Sequence, residues 1–331
     1  PTGLLTGFMN FVAGIGKDFK TDYIVFALDA KGTTFRNELF DNYKAQRPDV
    51  PEDLLTQLPV AISWVEKMGF KIAIRTGYEA DDMVASIAKD AKEKGFEVRI
   101  VSHDKDLYQL IDDANSVYLF DPTKKQIINE AKCIEKYGVT PKQFIDYQAL
   151  VGDTADNIPG VKGVGAKTAQ TLIEQFGTLE NIYENIENID KKRTKELLLE
   201  SKENAFLSKQ LVTLKDDCHF ISNIDEFSLP LENPILKIAS DLESYDMHRI
   251  IERVNKNGLN YKTEVPKKVE DEKIEYILLN NENDLTLAIN KIPRDAIIAF
   301  DTETTNLDTA KAKIVGFSFC YEDKKAYYVP I

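Results

Sequence analysis

Four short stretches carry acidic side chains in positions where they could act together. Asp29 closes the apolar run "YIVFALD"; Glu79, Asp81 and Asp82 sit in "GYEADD"; Asp104 and Asp106 follow "EVRIVS"; Asp153 and Asp156 open "GDTADNIPGVKGVGAKT". Eight carboxylates gathered in one place would repel one another unless cations sat among them. An all-oxygen donor set suits Mg²⁺ or Mn²⁺ rather than zinc. Two such ions roughly 4 Å apart form an arrangement that hydrolyses phosphodiesters, one activating water and the other neutralising the leaving oxygen. Each cluster alone has a plainer reading. Acids at a helix start favour the macrodipole, and "DKD" is a common turn. Joint placement is what favours the metal reading over four separate accidents.

That placement follows from the elements around the acids. "YIVFALD", "KIAIR" and "EVRIVS" read as short buried strands. Between the last two, "EADDMVASIAKDAKEKG" repeats Val84, Ile87, Ala88 and Ala91 at helical spacing. "DLLTQLPVAISWVEKMG" is a helix with Pro59 inside it, Trp64 in its core face and Gly69 at its end. Strands alternating with helices imply a mostly parallel sheet, whose sites form beyond the carboxyl ends of the strands. Asp29, Asp104 and Asp106 lie at such ends. At about 100° per residue, Glu79 and Asp82 are roughly 60° apart on their helix, with Asp81 beside them.

From about Thr140 the chain turns helical. Thr140 caps, Pro141 takes the first helical position, and Phe144, Tyr147 and Val151 share a face. "KTAQTLIEQFG" is amphipathic and ends at Gly177; 191–214 is charged and helical, and "DLESYDMHRIIERV" reads as another helix. The polar, proline-containing 257–273 reads as a linker. A new α/β unit follows, in which "AIIAFDTET" places Asp301 and Glu303 on one face of a strand.

"GVKGVGAKT" nearly spells a nucleotide-binding P-loop. It fails because Ala166 separates Gly165 from Lys167, and because a helix rather than a strand precedes it. What remains is two helices joined by a glycine-rich turn. Free amides at the second N-terminus, with Lys167 beside them, suit an anion. Such groups read no bases, so a nucleic-acid backbone is the natural ligand and no nucleoside triphosphate is expected. Basic residues also gather between 31 and 47, where Lys31, Arg36, Lys44 and Arg47 face only Glu38 and Asp41. They read either as a solvated loop or as a wall that holds the scissile phosphate. Tyr43 beside them reads as a base-stacking or a core residue.

The chain has 331 residues, a net charge of −13, 43% hydrophobic and 29% charged residues, and three widely spaced cysteines. That suits about two domains and a reducing cytoplasm better than a disulfide framework. No run approaches a membrane span. The acidic total opposes broad nucleic-acid binding unless the acids are concentrated in a metal site.

"FALDAKGTTFRNELFDNYKAQRP", "GYEADD", "SHDKDLYQL" and "LVGDTADNIPGVKGVGAKTA", in that order, resemble the 5′-nuclease domain of bacterial DNA polymerase I, a relative of flap endonucleases. The likeness covers roughly 2–254. It implies an α/β fold: a mostly parallel, PIN-like sheet flanked by helices (1–139), then a helical subdomain with a helix-hairpin DNA-binding motif (140–256). "FDTETTNLD" resembles the first motif of the ribonuclease H-like 3′–5′ exonuclease domain, so 274–331 is expected to be a partial domain without 3′–5′ activity and with apolar faces uncovered.

The resemblance implies metal ligation by Asp29, Glu79, Asp81 and Asp82 in one cluster and by Asp104, Asp106, Asp153 and Asp156 in another. It implies phosphate contact by Arg36, Lys44 and Arg47. It also implies duplex contact by Gly160, Lys162, Gly163, Gly165, Lys167 and Thr168, with K⁺ at the hairpin, and metal ligation by Asp301 and Glu303. The expected activity is two-metal 5′–3′ exonuclease and 5′-flap cleavage by a cytoplasmic monomer, on DNA with a 5′ end or flap or on RNA-primed duplex, in primer removal and repair. The family's first strand, which ends in a metal-binding Asp, has no counterpart here, so weak cleavage or DNA binding alone is the expected consequence.

Overall fold

The computed structural model describes residues 2–19, 21–48, 50–230, 233–257, 275–305, 311–322 and 325–331. Two compact units divide the chain, 1–263 and 264–331. The expected linker falls, from 258 onward, outside the described residues, as does 306–308 of "FDTETTNLD".

The first unit opens with α1 (Gly3–Asp18), then β1 (Val25–Ala27), α2 (Phe35–Leu39), α3 (Glu52–Met68), β2 (Lys71–Ala73), α4 (Ala80–Glu93) and β3 (Val98–Val101). The strands fall inside the three apolar runs expected to form them. Gly69 ends α3 in the left-handed region at φ 88°, a conformation that costs glycine nothing. Trp64 is 2% exposed in the core that α1 and α3 share.

The parallel pairs are present, but in two separate sheets. β1 pairs with β2, while β3 pairs with β4 (Val117–Asp121), which in turn pairs antiparallel with β5 (Gln126–Ile128). A cavity of about 690 Å³ lies between the halves. Val25, Phe26 and Ala27 line one side and Val98, Ile100 and Val101 another. Asp81 borders it as well.

Helices follow: α5 (Glu130–Tyr137), α6 (Phe144–Val151), α7 (Ala166–Phe176), α8 (Leu179–Glu184), α9 (Lys192–Glu200), α10 (Lys202–Val212), α11 (Ala239–Ser244) and α12 (His248–Asn257). The Thr140 capping box starts the turn before α6. Phe144 and Leu150 are fully buried, and Asp146 and Gln148 are buried with them. A helix buried on nearly every side is central to its layer. Its core continues without a break into Ile100, Leu107 and Leu119 of the second sheet region.

Both of the later stretches expected to be helical contain two helices. The stretch 191–214 breaks at Ser201. "DLESYDMHRIIERV" breaks at Asp246, whose φ of 55° lies in the left-handed region that an L-residue helix does not sustain.

In the second unit, β6 (Glu275–Leu278), α13 (Glu282–Asn290), β7 (Ala299–Thr304), β8 (Ile314–Glu322) and β9 (Lys325–Pro330) form a sheet in the order β6-β9-β8-β7 with one helix. Asp301 and Glu303 lie two apart on the exposed edge strand β7, as the alternation predicts. Apolar side chains stand exposed in this sheet, Phe300 at 62% beside Asp301 and Tyr276 at 77% on the far strand β6.

Candidate metal and nucleic-acid site

The acids come from four segments of the chain, and most of them lie near enough to one another to interact. Asp29 follows β1, and its Oδ1 accepts from the Ala80 amide at 2.7 Å, which satisfies one orphan donor at the start of α4. Asp81 sits in the first turn of that helix. Asp104 and Asp106 follow β3, tied together by the Asp106 amide donating to Asp104 Oδ1 at 2.9 Å.

Asp153 and Asp156 hang in a loop clamped at its base. Asp153 and Ile158 exchange both backbone hydrogen bonds, at 2.9 and 2.7 Å, and the Val161 amide donates to Leu150 O. Gly152 and Gly160 make the clamp possible. A Cβ on Gly160 would stand 2.6 Å from the Gly152 nitrogen, a backbone contact that cannot yield.

Electrostatics couples most of these groups. Burial first, and then Asp104, Asp106 and Glu79, push the Asp81 carboxyl up to about 7. Burial raises Asp106 to about 6, with Asp104 and Asp153 adding to the rise against an opposing hydrogen bond from Gln148. Asp156 joins through shared cations: Lys44 Nζ lies 2.6 Å from Glu79 Oε1 and 4.0 Å from Asp156 Oδ2, and Arg47 holds Asp156 Oδ1 at 2.6 Å. Lys105 pairs with Asp153 at 2.8 Å. Among the described residues no three acids already converge tightly enough to hold one ion. An ion would therefore have to draw carboxylates together and displace some of these ammonium and guanidinium groups.

Three expected site residues are placed elsewhere, and each placement has a physical reason. Asp82 is fully buried. Its oxygens take the Arg36 guanidinium at 2.7 and 2.8 Å and the amides of Glu79 and Lys215 at 3.0 and 2.9 Å, which leaves nothing for an ion. Arg36 is 1% exposed and also donates to Leu211 O at 2.8 Å, so it holds core elements together instead of facing a phosphate. Gly160 is buried and its amide donates to Ser208 Oγ, so it is not an open phosphate donor.

Tyr43 is also inside, at 5% exposure. Burial keeps its phenol protonated well above the usual range, and it donates to Glu79 Oε2 at 3.0 Å. Its core reading holds and its base-stacking reading does not.

The remaining hairpin residues face outward. Lys162, Gly163, Gly165 and Lys167 are exposed and Thr168 is half-buried at the start of α7, whose N-cap is Gly165. Lys105 and Gln148 were not singled out by their types. Lys105 lies between two candidate ligands in "DKD". Gln148 is an amide on the apolar face of Phe144 and Val151. Both signals were legible.

Residues 1–138 match the profile of the 5′-3′ exonuclease N-terminal resolvase-like domain, and 139–234 that of the 5′-3′ exonuclease C-terminal SAM fold. A 5′-3′ exonuclease of Aquifex aeolicus is 35% identical over 77% of this chain and 86% of its own length. DNA polymerase I of Borreliella burgdorferi is 33% identical over 98% of this chain but only 37% of its own length, so the chain spans little more than a third of that relative. Among solved structures, the T5 5′-exonuclease with bound divalent zinc superposes with a TM-score of 0.57 and 25% identity, covering 75% of this chain and 90% of that one. The loops that carry the acids and the clamped glycine turn lie within the matched residues, and the chain belongs to the 5′-3′ exonuclease family.

Proposed function

We propose that this chain is the 5′-nuclease portion of a DNA polymerase I, cleaving DNA at a 5′ end or flap with Mg²⁺ or Mn²⁺. The observation that carries this reading is the electrostatic coupling of Glu79, Asp81, Asp104, Asp106 and Asp153, which arrive from separate segments of the fold. An all-oxygen donor set whose members raise one another's pKa fits a hard divalent cation. Glu79 and Asp81, with Asp29, would hold one ion; Asp104, Asp106, Asp153 and Asp156 would hold another. When bound, such ions activate water and neutralise charge on the leaving oxygen.

The chain's own groups do the rest. Lys44 and Arg47 lie beside the acids, are partly exposed, and can turn from carboxylates to a phosphate. Lys162, Lys167 and the open amides of α7 grip the duplex backbone, with K⁺ at the same turn, a few residues from Asp153 and Asp156. Primer removal and repair as a cytoplasmic monomer fit the same assignment, with 274–331, bearing Asp301 and Glu303, as part of a 3′–5′ exonuclease domain. No helix among the described residues is long and apolar enough to cross a membrane.

A labelled 5′-flap duplex tests the reading directly. Cleavage is expected with Mg²⁺, none with EDTA, and no change on adding ATP. Flap binding with no cutting under any divalent cation would leave a DNA-binding module in place of a nuclease.

The pH dependence of ion binding supplies a second test. Asp81 has a folded pKa raised from 3.8 to about 7. Its contribution to stability is therefore fully present below about pH 4 and lost as pH rises through about 7. A cation removes that loss where the carboxylate is charged. Mg²⁺ should accordingly raise the melting temperature more at pH 8 than at pH 6, measured against EDTA by calorimetry. An equal or larger increment at pH 6 would contradict the assignment of Asp81.

A further inference from the structure

We infer that Gln148 is a positioning residue for the Asp106 carboxylate, an inference that rests on Asp106 facing a metal ion. Gln148 lies on α6 and is 4% exposed. Its Nε2 donates to Asp106 Oδ1 at 2.6 Å, while its own Oε1 is buried with no hydrogen-bond partner. A carboxylate only accepts, so the amide must present its nitrogen to Asp106 and turn its oxygen into the protein. That oxygen is the cost of the contact.

A buried amide whose oxygen has no partner is a poor device for stability, because that oxygen keeps its full desolvation cost. Its presence is accounted for by what it holds. With Oδ1 engaged, Asp106 has Oδ2 without a protein partner among the described residues. The Asp106 amide is meanwhile bound to Asp104, so fixing one carboxylate constrains the loop that bears both.

The same residue reaches the other half of the cluster. The Gln148 carbonyl accepts from the Gly152 amide at 2.7 Å and ends α6 immediately before Asp153. One buried residue thus fastens the loop after β3 to the turn that carries Asp153 and Asp156. Groups that orient metal ligands in this way typically change ion affinity by about 10–100-fold when lost.

Mn²⁺ titration by calorimetry on Gln148→Met, Gln148→Glu and Asp106→Asn tests this, with flap cleavage and melting measured alongside. Gln148→Met should still fold, with stability lower by no more than about 1–3 kcal/mol for the donor that Asp106 loses, bind Mn²⁺ roughly tenfold more weakly, and lose kcat with little change in KM for the flap. Gln148→Glu keeps the length but sets an acceptor against Asp106, and should lose at least as much affinity. In an Asp106→Asn background, Gln148→Met should add nothing further. Unchanged Mn²⁺ affinity in Gln148→Met, with affinity lost in Asp106→Asn, overturns the positioning role and leaves the site assignment standing. Unchanged affinity in Asp106→Asn overturns both. Failure of both Gln148 variants to fold also counts against the inference, since it makes Gln148 a packing residue.

Discussion

Changing Asp104 and Asp106 together to Asn is expected to abolish flap cleavage and to preserve or tighten DNA binding. The two carboxylates occupy one loop, joined by a backbone hydrogen bond, and both bear on the raised pKa of Asp81. Amides of the same shape keep the packing but remove two negative charges and two anionic donors. If the ion they hold supplies several kcal/mol of transition-state stabilisation, the loss is at least about 10³-fold in kcat. DNA binding should move the other way, because two charges that repel the phosphate backbone are gone. Single-turnover cleavage and a fluorescence binding isotherm, both in Mg²⁺, check the two arms. Cleavage that survives within tenfold would mean that the second cluster is not a metal site.

Arg36→Ala is expected to act on stability first, by about 3–5 kcal/mol, the usual consequence of stripping one partner from a buried ion pair. Asp82 would keep a fully buried charge with only two backbone amides to meet it, and Leu211 O and Thr213 O would lose donors at 2.8 and 3.3 Å. At about 2–4 °C per kcal/mol for a unit of this size, the melting temperature should fall by roughly 10 °C. Arg36→Lys should recover little, since one ammonium cannot reproduce the two-pronged contact. Arg47→Ala provides the contrast. Its side chain is 53% exposed, and its pair with Asp156 should be worth no more than about 1 kcal/mol. Urea or thermal melts of the three variants decide the matter. A normal melt for Arg36→Ala, with a flatter salt dependence of DNA binding, would restore Arg36 to the phosphate wall.

The contrast between these two arginines marks how far residue type alone can be taken. Both lie in one basic stretch and read alike from spacing. Their difference arises from partners 46 and 109 positions away, Asp82 and Asp156. Asp82 is likewise indistinguishable from Asp81 in "EADD". One helical step of about 100° turns Asp82 into the guanidinium and leaves Asp81 among carboxylates.

Gly160 gives the same lesson for the backbone. A glycine in a rich loop reads as an open amide, but this one supplies the close approach to Gly152 that holds Asp153 in place.

By itself the sequence determined most of the local features: which apolar runs hold the first three strands, which acids fall at strand ends and helix starts, and that the glycine turn departs from the P-loop pattern at Ala166. Those depend on periodicity, capping and spacing, all set within a few residues. Only the tertiary structure decided which charges meet solvent and which are paired inside, that the strands stand in two sheets with a cavity between them, and that Gln148 reaches Asp106. Desolvation and long-range pairing set those outcomes, and both depend on elements that meet only when the chain folds.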